Sequence, residues 1–304
     1  MSPLYHSLAV DSTPDFLTIG HVTRDLLADG SFELGGTVSF AALTTYRLGL
    51  VSAIATCADT AWFEFVPTRL PSIGLAGHVC SHTTTFVNRY SGEGFRTQYL
   101  RDRADDLLVE DIPPAWKDAP IVLFGPLAQE FTPELVRSFP RGQGRILAAT
   151  PQGWLRRWDD DGRVWPTPWT ESEEVLPLLD VLILSHDDLL PFADGSRTEA
   201  DAILARWSMQ VPLLVATDGR HGATLFRNGV TERFPAYAAS EVDPTGAGDV
   251  FAAAFLTYLS QHGDPRQAVD FANCVASLSI EKQGAAGIPT REEVDKRLEL
   301  SGKP

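Results

Sequence analysis

Four short apolar runs separated by helical segments constrain the fold more than any other feature of this chain. The runs lie at 121–124, 146–149, 181–184 and 213–217. Strands that are apolar throughout are buried on both faces, and their alternation with helices is typical of a parallel sheet covered by helices. The sequence therefore predicts a doubly wound α/β fold with a mainly parallel sheet.

The segments around this core predict further strands, helices and hairpins. Residues 79–90 and 95–100 are rich in Thr, Val, Phe and Tyr, and the turn at 91–94 predicts that they form a hairpin. In the absence of an internal repeat or a linker, we expect one domain over 1–304, with a small β lid from about 22–34 and 79–101. The remaining predicted strands are 16–19, 24–27, 31–34, 51–56, 224–226 and 232–234, and the predicted helices are 39–48, 62–70, 248–261, 265–283 and 291–300.

The net charge limits the partners of the chain. At −15, with a pI near 4.8, the protein repels the backbone of a nucleic acid and an anionic membrane surface. We therefore expect no nucleic acid and no membrane partner. A nucleotide then needs a local source of positive potential, such as a helix N-terminus, basic side chains or Mg²⁺.

The cysteines and the apolar segments bear on location. Cys57, Cys80 and Cys274 are odd in number and far apart, which fits a reducing compartment better than a disulfide framework. The N-terminus lacks the pattern of a signal peptide, and the longest apolar run, around 250–259, is too short to span a bilayer. We expect a soluble, cytoplasmic protein.

The segment 243–249, Asp-Pro-Thr-Gly-Ala-Gly-Asp, carries the clearest chemical signal. It runs directly into an apolar helix. A glycine-rich turn before a helix presents unpaired backbone N–H groups at the positive end of the helix dipole, where phosphate binds. Asp249 in the first turn would repel that phosphate unless it takes a proton from an attacking hydroxyl. The segment therefore predicts phosphoryl transfer with Asp249 as the base.

Two other interpretations of this segment carry less weight. Gly246, Gly248 and Ala252 match a dinucleotide fingerprint, but that fingerprint normally follows the first strand of a fold, not residue 246. The turn is also compatible with a plain helix cap. The sequence contains no Walker A motif, which excludes a P-loop enzyme.

Asp-Pro-Thr-Gly-Ala-Gly-Asp-Val-Phe at 243–251 resembles the C-terminal signature of the ribokinase-like (PfkB) carbohydrate kinases. Four further segments resemble family elements in the same order along the chain. They are Gly20–Asp25 at the opening strand, Gly35-Gly36 near the substrate, Thr217–Gly222 along the nucleotide phosphates and Gly284-Ala285 in the nucleotide pocket.

The resemblance implies a role for each matching residue. Asp249 would be the base, and the amides of Gly246, Ala247 and Gly248 the anion hole. It further implies ATP, Mg²⁺ bound through water to Asp188, possible K⁺ at Asp243, and a monomer or a homodimer formed through the lid. The implied substrate contacts are Asp25, Gly35 and Gly36, and the implied nucleotide contacts are Ser185, Asp188, Thr217, Gly219, Gly222, Asn273 and Gly284.

Two departures from the family pattern bear on the substrate. Phe40 stands where the family usually has Asn, and Ser185 replaces the Asn of an Asn-x-x-Glu element. Gly-Gly-x-x-Ser-Phe at 35–40, with 83–88 and 151–153, resembles the inositol-kinase-like branch. We therefore expect a small polyol, a sugar or a cyclitol, as acceptor. A nucleoside or sugar-phosphate kinase and an inactive ligand-binding relative stay open, and Arg89, Arg96, Arg101 and Arg103 are the basic residues available to a phosphorylated substrate.

Two clusters are better explained by structure than by function. His78, Cys80 and His82 share one strand face, but with no fourth ligand in sequence a satisfied strand edge is favoured over a zinc site. Four tryptophans between 154 and 169 lie among arginines, as in some single-strand nucleic-acid sites. The acidic run at 159–161 favours a Trp-packed hairpin over the core instead.

Overall fold

The computed structural model describes residues 4–6, 11–27, 29–90, 96–142, 144–193 and 195–301. The turn predicted at 91–94 lies outside the described residues, as do the side chains of Arg89 and Arg96. Within the described ranges, no helix combines the length and the apolar character needed to cross a bilayer.

A ten-stranded sheet forms the centre of the molecule, in the order β1-β6-β5-β2-β9-β10-β13-β14-β15-β16. Its strands from β6 to β14 are parallel, while β1, β15 and β16 are antiparallel to their neighbours. The predicted α/β fold is therefore confirmed. The bounds are β1 Leu4–His6, β2 Phe16–Ile19, β5 Ser52–Ala58, β6 Gly74–Val79, β9 Ile121–Phe124, β10 Ile146–Ala149, β13 Val181–Ser185, β14 Leu213–Thr217, β15 Ala223–Arg227 and β16 Val230–Phe234.

Helices cover both faces of this sheet, because successive strand residues point to opposite sides. Leu17 and Ile19 join the core under α3, α4 and α5, whereas Phe16 joins the core under α1, α6, α7 and α8. α2 packs with α1 in a third cluster. The helices are α1 Thr37–Arg47, α2 Thr60–Arg69, α3 Pro133–Arg137, α4 Ser172–Val175, α5 Arg197–Trp207, α6 Ala247–His262, α7 Pro265–Ser279 and α8 Arg291–Leu300.

A second sheet of four strands corresponds to the predicted β element. Its order is β4-β3-β7-β8, with β3 Thr23–Leu26, β4 Phe32–Gly35, β7 Thr85–Tyr90 and β8 Arg96–Asp102. The prediction of one strand over 79–90 is wrong, because Val79 ends β6 in the main sheet. Thr83 and Thr84 lie in the crossing between the two sheets, where Thr83 Oγ1 donates to Asp59 Oδ2 at 2.7 Å and Thr84 Oγ1 lies 2.7 Å from His21 Nδ1.

The helix predicted over 265–283 also ends earlier, at Ser279. The carbonyl of Ile280 accepts hydrogen bonds from the amides of Val242 and Asp243, at 2.7 and 3.1 Å. The chain therefore leaves the helix to bind the segment before α6.

The tryptophan-rich segment forms the predicted hairpin, with β11 Arg156–Trp158 and β12 Val164–Pro166. Trp154 and Trp169, which flank it, stack with ring centroids 4.7 Å apart and are buried in the core. The hairpin also touches the second sheet, since the Leu100 amide donates to the Gly162 carbonyl at 2.7 Å.

Candidate active site

The glycine-rich turn leads into α6 at the carboxyl edge of the main sheet. Gly246 adopts the left-handed conformation, with φ 76° and ψ 2°, and precedes the first helical residue, Ala247. The Ala247 amide donates to the Pro244 carbonyl at 3.1 Å, whereas the amides of Gly246, Gly248 and Asp249 make no hydrogen bond within the described residues. Ala247 was predicted to contribute its N–H to the anion hole, but that N–H is bonded to Pro244. The N–H of Asp249, which was not predicted, is available to a bound anion.

Phe40 supports this turn from α1. A Cβ added to Gly246 would lie 2.4 Å from the Phe40 ring, so only glycine fits there. Phe40 is 6% exposed and belongs to the core between α1 and α6. Gly248 is the opposite case, because a Cβ there would meet no atom within 4 Å. The turn therefore packs against Phe40 at Gly246 and is open at Gly248.

The Asp249 carboxyl is partly buried among groups of both charges. Its pKa is raised to about 6, mainly by desolvation; a hydrogen bond from Thr37 and the charge of Arg156 act in the opposite direction, and the charge of Asp188 adds to the rise. A carboxyl with this pKa is ionised at neutral pH and still basic enough to accept a proton. Its environment suits a general base.

The residues predicted to contact substrate meet at the start of α1. A Cβ on Gly35 would lie 2.4 Å from Asp25 Oδ2, and a Cβ on Gly36 would lie 2.6 Å from the His21 carbonyl. Both glycines therefore allow the chain to pass close to β3. Thr37, the next residue, reaches Asp249 through its hydroxyl. The structure brings Asp25, Gly35 and Gly36 together, and Thr37, next in the chain after Gly36, connects this group to the Asp249 carboxyl.

Asp188 lies on the other side of Asp249, after β13. Its Oδ2 accepts a hydrogen bond from the Ser185 amide at 3.0 Å, and Ser185 Oγ accepts one from the Asp187 amide at 3.2 Å. Desolvation raises the pKa of Asp188, against the charge of Arg156 and hydrogen bonds from Ser185 and Gln152. Mg²⁺ prefers oxygen ligands. The Asp188 carboxylate supplies an oxygen donor that fits Mg²⁺.

The residues predicted to bind nucleotide fall on two loops and a helix. Thr217 pairs with Ser185 at the ends of β14 and β13. Gly219 and Gly222 have φ of 49° and 90°, and a Cβ on Gly222 would lie 2.0 Å from the Phe234 carbonyl. Asn273 lies on α7, is 6% exposed, and donates through Nδ2 at 3.3 Å to the carbonyl of Pro235, a residue that packs against Gly222.

Asp243 joins the segment before α6 to the turn at Gly284. Its two carboxylate oxygens accept from the amides of Thr245 at 3.0 Å and Gly284 at 2.9 Å. Desolvation raises the pKa of Asp243, but these hydrogen bonds outweigh it and hold the pKa below its usual value. Asp243 thus connects the segment before α6 to the turn at Gly284 through its two hydrogen bonds. Its role as a monovalent-cation ligand stays a prediction.

The second sheet reaches this side of the cleft through β4. A Cβ on Gly284 would lie 3.9 Å from Glu33 Oε2, which places β4 next to the turn that Asp243 holds. The role of this sheet in excluding water stays a prediction.

Sequence reasoning assigned no site role to three residues around Asp249 and Asp188, or to the buried Thr150. Thr37 and Arg156 contact Asp249 or act on its charge, and Gln152 bonds Asp188. Thr150 is 8% exposed, and its hydroxyl has no hydrogen-bond partner among the described residues. The position of Thr37 directly after Gly35-Gly36 was a usable signal. No local pattern marked Arg156.

The sheet order and the helices around it give a ribokinase-like α/β fold. Residues 161–291 match the family model described as pfkB family carbohydrate kinase.

Relatives and solved structures agree with this assignment. A probable fructokinase-5 from Arabidopsis thaliana is 29% identical over 171 residues, covering 52% of this chain and 53% of the relative. The chain thus spans about half the length of the first curated relatives that it matches.

Two solved structures share the fold. A pyrophosphate-dependent kinase in the ribokinase family, complexed with a pyrophosphate analog and myo-inositol, superposes with a TM-score of 0.77 at 24% identity, covering 93% of this chain and 99% of that chain. An Arabidopsis thaliana ribokinase complexed with ribose and ATP has a TM-score of 0.70 at 18% identity, covering 94% and 99%.

Proposed function

We propose that this protein is a phosphotransferase that moves a terminal phosphoryl group to a hydroxyl of a small polyol, a sugar or a cyclitol. The observation that carries the proposal is the position of Asp249. Its carboxyl, with a pKa raised to about 6, stands in the first turn of α6 beside the unbonded amides of Gly246 and Gly248.

The chain supplies each part of an in-line transfer. Gly35, Gly36 and Asp25 line the acceptor side, and Asp249 takes the proton of the attacking hydroxyl. The amides at the opening of α6 hold the transferred group and its developing charge. Asp188 would hold Mg²⁺, which would neutralise charge on the donor phosphates. Phe40 and Thr37 position the turn and the carboxyl.

ATP is the first candidate donor, supported by the family domain and by the ribokinase solved with ATP. Pyrophosphate is the second. Asn273, which the resemblance assigns to the adenine side, is buried and bonded to Pro235. The fold is also shared with a kinase described as pyrophosphate-dependent and bound to myo-inositol.

The test follows formation of a phosphate ester by phosphorus NMR, which detects the product with either donor. Purified protein receives Mg²⁺, ATP or pyrophosphate, and one acceptor from a panel of pentoses, hexoses, cyclitols, nucleosides and sugar phosphates. We expect ester formation with an unphosphorylated sugar or cyclitol. K⁺ is included or replaced by Na⁺ in parallel.

The wild type is compared with Asp249→Asn, which should lose activity. The same substitution at the exposed Asp161, Asp161→Asn, is the matched control. We expect Asp161→Asn to keep the wild-type rate. Binding of acceptor and donor by calorimetry, with no ester from any pair, would identify an inactive binding protein instead.

A further inference from the structure

Three potential metal ligands from separate parts of the chain meet beside β5 and β6. Cys57 and His78 are direct partners in the register of these two parallel strands, so their side chains share one face. Asp111 ends the short 3-10 turn Val109–Asp111, which packs on β6. These residues lie outside the site around Asp249.

The three donor atoms lie at distances suited to one small cation. Cys57 Sγ is 3.3 Å from His78 Nδ1, His78 Nδ1 is 2.8 Å from Asp111 Oδ1, and all three atoms lie within 4.8 Å of one another. Zinc bonds of about 2.0–2.3 Å at tetrahedral angles put neighbouring ligand atoms about 3.4–3.6 Å apart. The distance from the sulfur to the ring nitrogen is within about 0.3 Å of that spacing, and the carboxylate needs to move back by about half an ångström.

Hydrogen bonds among these three side chains cannot satisfy all three converging atoms at once. His78 Nδ1 carries either one proton or one lone pair, so it serves only one of the two groups that point at it. With its proton given to Asp111, the Cys57 thiol has the Asp106 carbonyl, 3.9 Å away, as its other contact. Asp111 Oδ2 is satisfied separately by the Leu108 amide at 2.7 Å. A cation at the centre would satisfy all three converging atoms.

We propose that Cys57 Sγ, His78 Nδ1 and Asp111 Oδ1 form a zinc site, with water in the fourth position. Thiolate, imidazole and carboxylate are the ligand types of zinc. Cys57 is fully buried, while the side chains of Asp111 and His78 are 8% and 20% exposed, so an ion can enter past His78. Cys80 is not required, because its thiol donates to the His82 carbonyl at 3.0 Å.

Loading the site displaces protons. Burial, with the charge of Asp111, raises the pKa of the Cys57 thiol, so the thiol is protonated at neutral pH in the absence of metal. Zinc binding forms the Zn–S bond and releases that proton to solvent. The His78 ring carries its proton on Nε2 when Nδ1 binds the ion. One thiolate and one carboxylate then balance the charge of Zn²⁺.

Zinc bound at this site would link three segments of the chain. It joins β5 and β6 to the segment between β8 and β9, which returns from the lid. The same segment carries Asp105, whose carbonyl lies 2.9 Å from His21 Nε2. Zinc would therefore hold the base of the lid to the main sheet.

Cobalt titration of metal-free protein tests the site and does not depend on kinase activity. Under anaerobic, reducing conditions we expect a thiolate-to-cobalt charge-transfer band that saturates at one equivalent and is removed by zinc. Cys57→Ser and His78→Gln should lose the band. Cys274→Ser, which removes a buried thiol from α7 in the core on the other face of the sheet, should keep it.

A thermal measurement provides the second readout. Zinc should raise the melting temperature of the wild type and of Cys274→Ser with increasing concentration, because it binds only the folded state, and should not raise that of His78→Gln. Should Cys57→Ser fail to fold, His78→Gln carries the test. Folded wild type without a charge-transfer band, or a band that persists in both ligand variants, overturns the proposal.

Discussion

The opening of α6 and the Cys57 cluster both place a desolvated acid at the carboxyl edge of the main sheet. Asp249 has a positive and a negative group nearby, whereas the charges that act on Cys57 are all negative. Desolvation raises the pKa of Asp249, but Thr37 and Arg156 counteract it and the value stays at about 6. Desolvation also raises the pKa of Cys57, and the neighbouring Asp111 and Cys80 raise it further.

The difference shows how surroundings decide what a buried acid can do. Asp249 is largely ionised at neutral pH and can accept a proton from a substrate. Cys57 keeps its proton until a cation replaces it. Asp249 is therefore suited to accept a proton at neutral pH, whereas the Cys57 thiol would have to lose its proton to bind a metal ion.

The largest expected effect is the loss of turnover in Asp249→Asn. General base catalysis contributes about 10²–10⁴-fold, so kcat should fall by about that factor while donor binding persists. Steady-state kinetics with calorimetry measure both. A kcat near that of the wild type would show that Asp249 is not the general base. The proposed functional difference between Asp249 and Cys57 would then be wrong.

Gly246→Ala tests whether the turn at α6 is braced as tightly as the geometry indicates. Gly229 has the same φ of 76° as Gly246, but a Cβ there meets nothing within 4 Å. Both alanine variants should lose about 1–2 kcal/mol of stability from the left-handed backbone.

Gly246→Ala should lose on the order of a further 1–3 kcal/mol from overpacking against Phe40. Urea unfolding compares the two variants. The additional loss should shrink in Gly246→Ala/Phe40→Leu, and equal losses in the two single variants would contradict the contact.

The difference in stability between Asp249→Asn and the wild type should depend on pH, because only the wild type carries the titrating carboxyl. The native carboxyl keeps its proton up to about pH 6, whereas the unfolded chain releases it near 3.8. Its stabilising contribution is therefore full below about 3.8 and is lost as the pH rises to about 6. We expect the variant to be more stable than the wild type at pH 7, by on the order of 2 kcal/mol, and about equal to it at pH 3.5. Equal stability at both pH values would show that burial does not perturb this carboxyl.

The smallest effect is expected at Arg156, whose charge lowers the pKa of both Asp249 and Asp188. In Arg156→Gln the acid limb of the pH–rate profile should move to higher pH, because the base loses a favourable positive charge. The adjacent, exposed Arg157→Gln is the control and should leave the limb in place. A shift in both variants would indicate a general surface effect.

Much of the fold could be predicted because its elements are short and internally consistent. The strand at 121–124 is apolar at every position and fully buried. The strand predicted over 79–90 failed because residue types cannot show that Thr83 and Thr84 bond across to Asp59 and His21. The helix predicted to 283 failed for a similar reason, since Ile280 binds Val242 and Asp243.

The sequence by itself determined the parallel sheet and the glycine-rich turn before α6. Each depends on residues that are neighbours in the chain, whose periodicity and backbone freedom act locally. Only the tertiary structure decided that Thr37, Arg156 and Asp188 surround Asp249, and that Cys57, His78 and Asp111 converge. Those groupings depend on strand order and register, which bring together residues that no local pattern relates.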